Sequence, residues 1–456
     1  MTKYVEKELF SIDSREYVCK FIDLFAGMGG IRLGFEQALK ENNIKPECIL
    51  TSEIKPQAID ALHRNFEHKK FILDVTELDI DKLSDFDFLL AGFPCQAFSS
   101  AGNRDGFLDT RGTLFFEVEK ILKEKSPYGF LLENVEGLIK HDLENKNDEI
   151  GRTLKTIIHS LELLGYKTSW KLLDSKNFGL PQSRKRIYIV GTKKKKIDLD
   201  NFEFSKAKFF KDIQEHNKET KKTLFSKKLL SHFKVEEIYG KAIKDKRGGS
   251  NNIHSWDFGL KGEISEIQRK FLTTLLKERR KKHWASEIGI DWMDGMPLTI
   301  EQIKTFFNCS NLEIILEDLV KKGYIKYEYP KAIVKKKLSN GNFVSRREYD
   351  ETKPKGYNIV SGKLSFEYSK ILDPNSITPT LVAADVEKLG VVDNENIRKL
   401  TLREGLRLFG YPEEYSLDIF DENISSRRKA FDLLGNTVAV PVIKEISKKL
   451  IESFKD

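Results

Sequence analysis

The chain of 456 residues has few cysteines and no long apolar stretch. Its four cysteines, Cys19, Cys48, Cys95 and Cys309, are scattered and fit neither a disulfide framework nor the paired spacing of a zinc site, so no metal is expected. No apolar run approaches the roughly 20 residues that cross a bilayer. The amino terminus is charged and lacks the apolar centre of a signal peptide. These absences predict a globular protein of a reducing cytoplasm, without membrane contact.

Positive charge is concentrated in one part of the chain. Residues 201–370 contain 35 lysines and arginines against 23 aspartates and glutamates, which gives a net charge of +12. The rest of the chain has 43 against 47, a net charge of −4. A basic segment of this kind is expected to contact phosphate backbones.

A glycine-rich turn lies near the amino terminus, between a predicted strand and a predicted helix. The strand is Lys20 to Phe25 and the helix is Ile31 to Leu39. The turn, Ala26-Gly27-Met28-Gly29-Gly30, lets the backbone approach a ligand. Its spacing is not the G-x-G-x-x-G of dinucleotide enzymes. The pattern therefore predicts a ligand-binding turn that does not require a pyrophosphate.

Carboxylates follow the next two predicted strands. Glu53 comes after Cys48 to Ser52, at the position where an acidic side chain accepts hydrogen bonds from ribose hydroxyls. Asp74 and Val75 come after Phe71 to Leu73, where they can hold the amino group and the ring of an adenine. Together with the glycine turn, these residues predict a site for an adenosine-bearing cofactor.

A cysteine follows the next apolar strand, Phe86 to Gly92. A thiolate such as that of Cys95 can attack an electron-poor ring carbon, and a turn at the end of a parallel strand holds it in an open crevice. The strand after it, Gly129 to Leu132, leads to Glu133 and Asn134. We therefore interpret this edge of the sheet as an active site.

Five short motifs follow one another along the chain: Phe-Ala-Gly-x-Gly-Gly, Pro-Cys-Gln, Glu-Asn-Val, Gln-x-Arg-x-Arg and Gly-Asn-Thr-Val. In this order they resemble the bacterial C5-cytosine DNA methyltransferases, over residues 19–192 and 375–445. The resemblance implies an α/β fold, with a Rossmann-like catalytic domain and a mixed, mostly parallel sheet. It also implies S-adenosylmethionine as the cofactor, S-adenosylhomocysteine as its product and double-stranded DNA as the substrate. A cytosine stacked in a duplex exposes neither ring face, so the target base must be flipped out.

The same resemblance implies the roles of the catalytic residues. Cys95 adds to C6 of the cytosine, and Glu133, with a pKa raised by burial, gives a proton to N3. Asn134 orders the catalytic loop. Arg186 contacts O2 of the base, and Arg184 supports the site.

Contacts to the cofactor and to DNA are also implied. The cofactor contacts are Phe25, Ala26, Gly27, Met28, Gly29, Gly30, Glu53, Ile54, Asp74, Val75, Pro94, Leu114, Asn436 and Val438. Gln96 and Ser99 fall where the family contacts phosphates of the target strand. In the basic segment, we expect the duplex to be met by Lys335, Lys336, Lys337, Arg346 and Arg347.

The motifs predict three parts of the chain. Residues 1–196 form the catalytic domain with the cofactor and the active site. Residues 197–426 form a smaller α+β target-recognition domain and its hinge. Residues 427–456 return to the catalytic domain.

Within the predicted recognition domain, two short helices, Leu298 to Phe307 and Leu312 to Lys322, precede a hairpin through Asn340-Gly341. This order favours a winged helix-turn-helix. The second helix carries acidic residues, which make a poor face for DNA and leave the basic strands as an alternative. An earlier helix has an apolar stripe that is expected to be core: Ile264, Ile267, Phe271, Leu275 and Leu276.

These features suggest three functions. The first is a monomeric DNA cytosine-5 methyltransferase of the bacterial cytoplasm or nucleoid. It is either an orphan or the modification enzyme of a restriction-modification system, partnered with an endonuclease for the same site. The second is a tRNA cytosine-5 methyltransferase, which the basic insert disfavours because reading a duplex sequence needs surface that enters the major groove. The third is a DNA-binding regulator with an abandoned active site, which the intact Cys95, Glu133 and Arg186 disfavour.

Overall fold

The chain forms two compact units. The computed structural model describes residues 17–94, 113–145, 147–246, 248–290, 295–337, 343–361, 366–383, 385–420 and 423–455. Unit 1 contains the described residues of Met1–Ile213, Ile377–Val386 and Leu402–Asp456, and unit 2 those of Gln214–Ser376 and Glu387–Thr401. Unit 1 thus includes the described residues of 197–213, 377–386 and 402–426, which were predicted to belong to the recognition domain and its hinge.

The first part of unit 1 alternates strands with helices. Its elements are β1 (Val18–Leu24), α1 (Gly30–Glu41), β2 (Lys45–Ser52), α2 (Pro56–Asn65), β3 (Phe71–Ile72), β4 (Phe88–Ala91), α3 (Thr113–Lys125), β5 (Gly129–Val135), α4 (Arg152–Leu163), β6 (Lys167–Asp174) and β7 (Lys185–Thr192). The seven strands form one sheet in the order β3-β2-β1-β4-β5-β7-β6. Neighbouring strands are parallel except for β7, which is antiparallel to both β5 and β6. The sheet is therefore mixed and mostly parallel, as the sequence analysis expected.

Both faces of this sheet are covered. In β4, Leu89 and Ala91 belong to one apolar cluster, whereas Phe88 and Leu90 belong to another. Successive side chains of a strand point to opposite faces, so a strand buried on both faces is apolar at every position. This is why the run around β4 was readable as a strand from the sequence.

Unit 2 has short helices and three small sets of strands. Its elements are α5 (Leu224–His232), α6 (Val235–Ile238), β8 (Ala242–Ile243), β9 (Asn252–Ile253), α7 (Glu266–Glu278), α8 (His283–Glu287), α9 (Ile300–Lys304), α10 (Leu312–Lys321), β10 (Ile325–Glu328), β11 (Lys331–Lys337), β12 (Phe343–Tyr349), β13 (Gly356–Ile359), β14 (Lys370–Ile371), β15 (Leu389–Asp393) and β16 (Asn396–Lys399). Five strands form a sheet in the order β16-β15-β14-β8-β9. The pairs β10–β13 and β11–β12 are antiparallel ribbons.

The helices α7, α9 and α10 share an apolar core with Ile325 and Ile359 of the β10–β13 ribbon. Phe271, Leu275 and Leu276 of α7 are buried in it, as the apolar stripe predicted. The expectation for Ile267 was wrong, because 41% of this residue is exposed. Helical spacing alone does not tell how wide a stripe the neighbouring helices cover.

Unit 1 is completed by helices from the end of the chain. They are α11 (Leu402–Leu408), α12 (Ile424–Asn436) and α13 (Val440–Lys455). Ile443 and Ile446 of α13 pack in the same cluster as Phe35 of α1. Among the described residues, no helix is long and apolar enough to cross a membrane.

Candidate active site

The ends of three central strands meet at the carboxyl edge of the sheet in unit 1. A methyl group placed on Gly92, after β4, would lie 3.7 Å from Oε2 of Glu133 in β5 and 3.9 Å from the carbonyl oxygen of Phe25 after β1. Ligands of open α/β sheets bind at this edge, where the strand order reverses. The geometry thus brings the predicted cofactor turn and the predicted catalytic carboxyl together.

The turn after β1 has a constrained backbone. Phe25 has φ of 53°, in the left-handed region that bulky residues rarely adopt. Gly29 has φ of 79°. A Cβ atom on Gly30 would lie 2.6 Å from Oη of Tyr411 and 2.8 Å from Cγ2 of Val438, so no larger residue fits without a shift. The backbone of this turn is therefore held in one shape by its surroundings.

Glu53 links the turn to the loop after β2. Its Oε2 accepts a hydrogen bond from the backbone N–H of Gly27 at 2.7 Å. Its Oε1 accepts from the N–H groups of Ile54 and Lys55, at 2.9 and 2.8 Å. Both oxygens of this buried carboxylate thus accept hydrogen bonds from backbone N–H groups.

Apolar and acidic groups lie beside each other along this edge. Ile54 is 63% exposed although it is a large apolar residue. Val75 is buried, and Asp74 accepts hydrogen bonds from the N–H and the hydroxyl of Thr76 at 2.9 and 2.8 Å. A ligand with a flat apolar ring and hydroxyl groups would find partners of both kinds here.

The remaining predicted cofactor residues differ in their exposure. Pro94 and Leu114 are partly buried, and Val438 is buried. Asn436 is exposed at the end of α12, where its side-chain nitrogen donates to the carbonyl of Asp432 at 2.8 Å.

Glu133 and Arg186 form an ion pair. The Nε atom of Arg186 lies 3.2 Å from Oε1 of Glu133, and both side chains are largely buried. Burial raises the pKa of Glu133, while the positive charges of Arg186 and Arg184 act in the opposite direction. A carboxyl group with a raised pKa can carry a proton closer to neutral pH than an exposed one.

Arg184 is anchored by distant parts of unit 1. Its guanidinium donates hydrogen bonds to the carbonyls of Leu381 at 3.0 Å and Gly435 at 3.2 Å. Burial, with a smaller effect of the nearby Arg186, lowers the pKa of Arg184 to about 9. The two arginines therefore lie in the same electrostatic environment. Arg184, however, donates to backbone carbonyls, whereas Arg186 pairs with Glu133.

Asn134 holds the backbone that leads to the predicted nucleophile. Its side-chain nitrogen donates to the carbonyl of Phe93 at 3.1 Å, and its Oδ1 accepts from the N–H of Val135 at 2.8 Å. Cys95 lies outside the described residues, as do Gln96 and Ser99. The described part of the chain reaches Pro94, one residue before Cys95.

The DNA contacts predicted in the basic segment lie on the β11–β12 hairpin of unit 2. Lys336 forms an ion pair with Glu348 at 2.6 Å. Arg346 and Arg347 are exposed on β12. The side chains of Lys335 and Lys337 lie outside the described part, as do Asn340 and Gly341 of the predicted hairpin turn.

Sequence reasoning missed two tyrosines that support the site. The hydroxyl of Tyr415 donates to the carbonyl of Met28 at 2.6 Å, and that of Tyr411 lies 2.6 Å from Oγ1 of Thr437. Their rings are 4.5 Å apart. The only signal in the sequence is a pair of tyrosines four residues apart between two helices, which does not indicate what they contact.

Gln182, a member of the fourth motif, received no role from the sequence. Its side chain donates to the carbonyl of Leu408 at 3.0 Å and accepts from the N–H of Leu381 at 3.2 Å. The hydroxyl of Thr380 donates to the carbonyl of Ser183 at 2.7 Å. The motif is thus anchored on both the 377–386 segment and α11 before β7 begins.

Solved structures share this fold over nearly the whole chain. One is the methyltransferase EhMeth of Entamoeba histolytica, with a TM-score of 0.51, 15% identity and coverage of 96% of this chain and 99% of that one. Another is described as a DNA modification methyltransferase encoded within an E. coli prophage, with a TM-score of 0.50, 19% identity and coverage of 96% and 100%. At such low identity, these similarities establish the fold alone.

Sequence comparison identifies the family. The chain is 55% identical over 435 residues to the type II methyltransferase M.NlaIV of Neisseria lactamica, covering 95% of this chain and 99% of that protein. It is 40% identical over 457 residues to the type II methyltransferase M.BanI of Aneurinibacillus aneurinilyticus, covering 95% and 96%. Residues 19–452 match the C-5 cytosine-specific DNA methylase family. The chain therefore belongs to this family, and it is a C5-cytosine DNA methyltransferase.

Proposed function

We propose that this enzyme is the modification methyltransferase of a type II restriction-modification system. It transfers a methyl group from S-adenosylmethionine to C5 of a flipped-out cytosine within a specific sequence of double-stranded DNA. The observation that carries the proposal is the largely buried Glu133–Arg186 pair, which lies at the strand edge where Asn134 holds the carbonyl of Phe93. The similarity to type II methyltransferases over 95% of the chain supports the biological context.

The chemistry assigns a separate task to each residue. C5 of cytosine is a poor nucleophile, so the Cys95 thiolate adds to C6 and the electron pair moves toward N3. Glu133 gives its proton to N3, which turns the ring into an enamine whose C5 can attack an electrophilic methyl group. Loss of the proton from C5 to a base then expels the thiolate, and N3 returns its proton to the Glu133 carboxylate as the aromatic ring is restored. Arg186 orients Glu133 and contacts O2 of the base.

The same edge fits an adenosine-bearing cofactor. The ring of Phe25 can stack on the adenine, the carboxylate of Glu53 can accept hydrogen bonds from ribose hydroxyls, and Asp74 can accept from the adenine amino group. The exposure of Ile54 agrees with an apolar ring beside it. When bound, S-adenosylmethionine supplies the electrophilic methyl group on a positively charged sulfur. Because Glu53 already holds the backbone of Gly27, it shapes the turn as well as contacting the cofactor.

We assign catalysis to unit 1 and target recognition to unit 2. Part of unit 2 has the element order α7, α8, a bridge from Leu298 to Tyr357, α9, α10, and the ribbon β10–β13 with the β11–β12 hairpin between its strands. Apart from the short α8, this order resembles a winged helix-turn-helix. The net charge of +12 over residues 201–370 agrees with a DNA-binding role.

The biological setting follows from this proposal. The enzyme acts as a monomer in the bacterial cytoplasm, and an endonuclease that cuts the same sequence is its genetic partner. Methylation of the site by this enzyme is then expected to block cleavage by that endonuclease.

Incubation with labelled S-adenosylmethionine and either duplex DNA or tRNA tests the proposal. We expect label in duplex DNA, and bisulfite sequencing should place it at one defined sequence. Label that appears only in tRNA would overturn the proposal in favour of an RNA methyltransferase. Binding of both substrates without any transfer would instead indicate a regulator with an inactive site.

A further inference from the structure

The β11–β12 hairpin is a two-stranded antiparallel ribbon whose two faces differ. Lys331 pairs with Tyr349 at one end and Lys337 with Phe343 at the other. Because successive residues of a strand alternate between faces, positions 331, 333, 335 and 337 share one face with 343, 345, 347 and 349. We call this the odd face. The even face consists of positions 332, 334, 336, 344, 346 and 348.

Charge distinguishes the two faces. Among the side chains that the structure describes, the odd face carries the basic residues Lys331 and Arg347 and no acidic one. The even face carries Lys336, Arg346 and Glu348, and Glu348 neutralises the charge of Lys336 in an ion pair. A phosphate backbone would therefore be attracted to the odd face more strongly than to the even face.

Two neighbouring arginines occupy matched places on opposite faces. Arg347 lies across from Ile333, which is 47% exposed, and Arg346 lies across from Val334, which is 37% exposed. Both arginines are themselves exposed.

Other polar side chains near the hairpin have partners within the protein. Nζ of Lys331 lies 4.7 Å from the centre of the Tyr349 ring, and the hydroxyl of Tyr349 donates to Glu328 at 2.9 Å. In the part of the chain that the structure describes, no hydrogen bond or ion pair engages either guanidinium of Arg346 and Arg347. Both arginines are exposed, but only Arg347 lies on the more basic face of the hairpin.

The helix that would precede the wing is less suited to DNA. On α10, the exposed residues include Glu313, Glu317 and Ile314, the last with 68% exposure. Carboxylates at these positions repel phosphates, whereas Leu312, Leu316 and Leu319 pack into the core. The helix acts as scaffold, and the hairpin is left as the DNA-facing element.

We propose that the odd face of the hairpin enters the major groove and that Arg347 selects a guanine there. The major groove is wide enough to admit a two-stranded ribbon, and a bidentate arginine contact to O6 and N7 of guanine is the commonest specific contact to DNA. Ile333, across from Arg347, can pack beside the same base pairs. This inference rests on the proposed function and names a residue that determines sequence choice.

The full-length enzyme can be tested on a duplex library with a central cytosine flanked by randomised base pairs, read by bisulfite sequencing. We expect Arg347→Ala to reduce the preference for guanine at one position by about 5- to 100-fold, the range of one bidentate contact. Arg347→Lys keeps the charge but loses the fork geometry, so it should lose most of the same preference.

Arg346→Ala is the matched control, because it removes the same charge from the adjacent residue on the opposite face. We expect it to keep the preference at every position, with only the uniform loss of affinity that a lower positive charge causes. The proposal is overturned if Arg347→Ala methylates the same set of sequences as the wild-type enzyme. It is also overturned if the substitution leaves the sequence preference unchanged and only lowers the slope of log K against log salt by about 0.9, which is the signature of a lost phosphate contact. It is also overturned if Arg346→Ala shows the larger change in preference. A wild-type enzyme that methylates no duplex would instead refute the proposed function.

Discussion

Nε of Arg186 lies 3.2 Å from Oε1 of Glu133, across the pairing of two antiparallel strands. The two residues are 53 positions apart in the sequence but are brought together because Val135 pairs with Arg186 at the end of β5. Burial raises the pKa of Glu133, and the arginine prevents that carboxyl group from becoming an isolated buried charge. This balance suits a group that must give up a proton to a ring nitrogen.

Replacing Glu133 tests its role as the proton donor. Glu133→Gln cannot transfer a proton to N3, so kcat should fall by about 10²- to 10⁴-fold with little change in KM. Glu136→Gln, three residues farther on and exposed, serves as the control and should keep the wild-type rate. Steady-state methylation of duplex DNA gives both constants. Activity of Glu133→Gln within a few-fold of wild type would assign the role to another group.

Cys95 is expected to be the nucleophile. Cys95→Ser should abolish methyl transfer, because a serine hydroxyl is far less ionised than a thiol, while DNA and cofactor binding remain close to wild type. A duplex with 5-fluorocytosine at the target should trap the wild-type enzyme covalently, since fluorine cannot leave as a proton does. Cys309→Ser, which changes a partly exposed thiol in unit 2, should still form the adduct. An adduct with Cys95→Ser would show that the nucleophile lies elsewhere.

Glu53 should control cofactor affinity. In Glu53→Gln the amide nitrogen cannot accept, so the side chain loses its bond either to Gly27 or to Ile54 and Lys55, together with its charge. Hydrogen bonds to charged groups contribute roughly 1.5–3 kcal/mol, which corresponds to about a 10- to 100-fold weaker affinity. Calorimetric titration with S-adenosylhomocysteine measures this affinity. Glu47→Gln, on the preceding strand β2, is the control. Equal affinities of the two variants would contradict the assignment.

Asp23 should make stability depend on pH. Its carboxyl group is fully buried, neither oxygen has a hydrogen-bond partner among the described residues, and burial raises its pKa to about 7. The folded-state pKa exceeds the unfolded one, so the fold loses stability as the pH rises from about 4, and this penalty is complete above about pH 7. This penalty disappears as the pH falls toward 4. Asp23→Asn should therefore be more stable than wild type at pH 8, by up to about 4 kcal/mol, and should lose more than half of this advantage by pH 5.

Denaturant unfolding of wild type and Asp23→Asn at pH 8 and pH 5 measures the difference in their free energies of unfolding. The contributions of other titrating groups are the same in both proteins and cancel in this difference. Asp60→Asn, at an exposed position of α2, should show no comparable dependence. A constant difference between wild type and Asp23→Asn across this range would mean that Asp23 does not titrate there.

Much of unit 1 could be predicted from the sequence because its buried strands are short apolar runs that can be recognised locally. The apolar run of β4 indicated a buried strand. The segments after β1 and β2 and the end of β5 lie at one edge of the sheet, where the strand pattern placed them. The order of the five motifs sufficed for the family, which the comparisons confirmed. The sequence did not show that β5 extends through Glu133 and Asn134 to Val135, since the ends of a strand depend on its partner.

By itself, the sequence determined the family, the mixed and mostly parallel sheet, and the residue types available for chemistry, because these depend on local pattern and motif order. Only the tertiary structure decided which groups hold those residues in place. Arg184 donates to Leu381 and Gly435, which lie 197 and 251 residues away, and Tyr415 donates to a carbonyl 387 residues away. No local pattern encodes such partners, because they become neighbours only when distant segments pack against the same sheet edge.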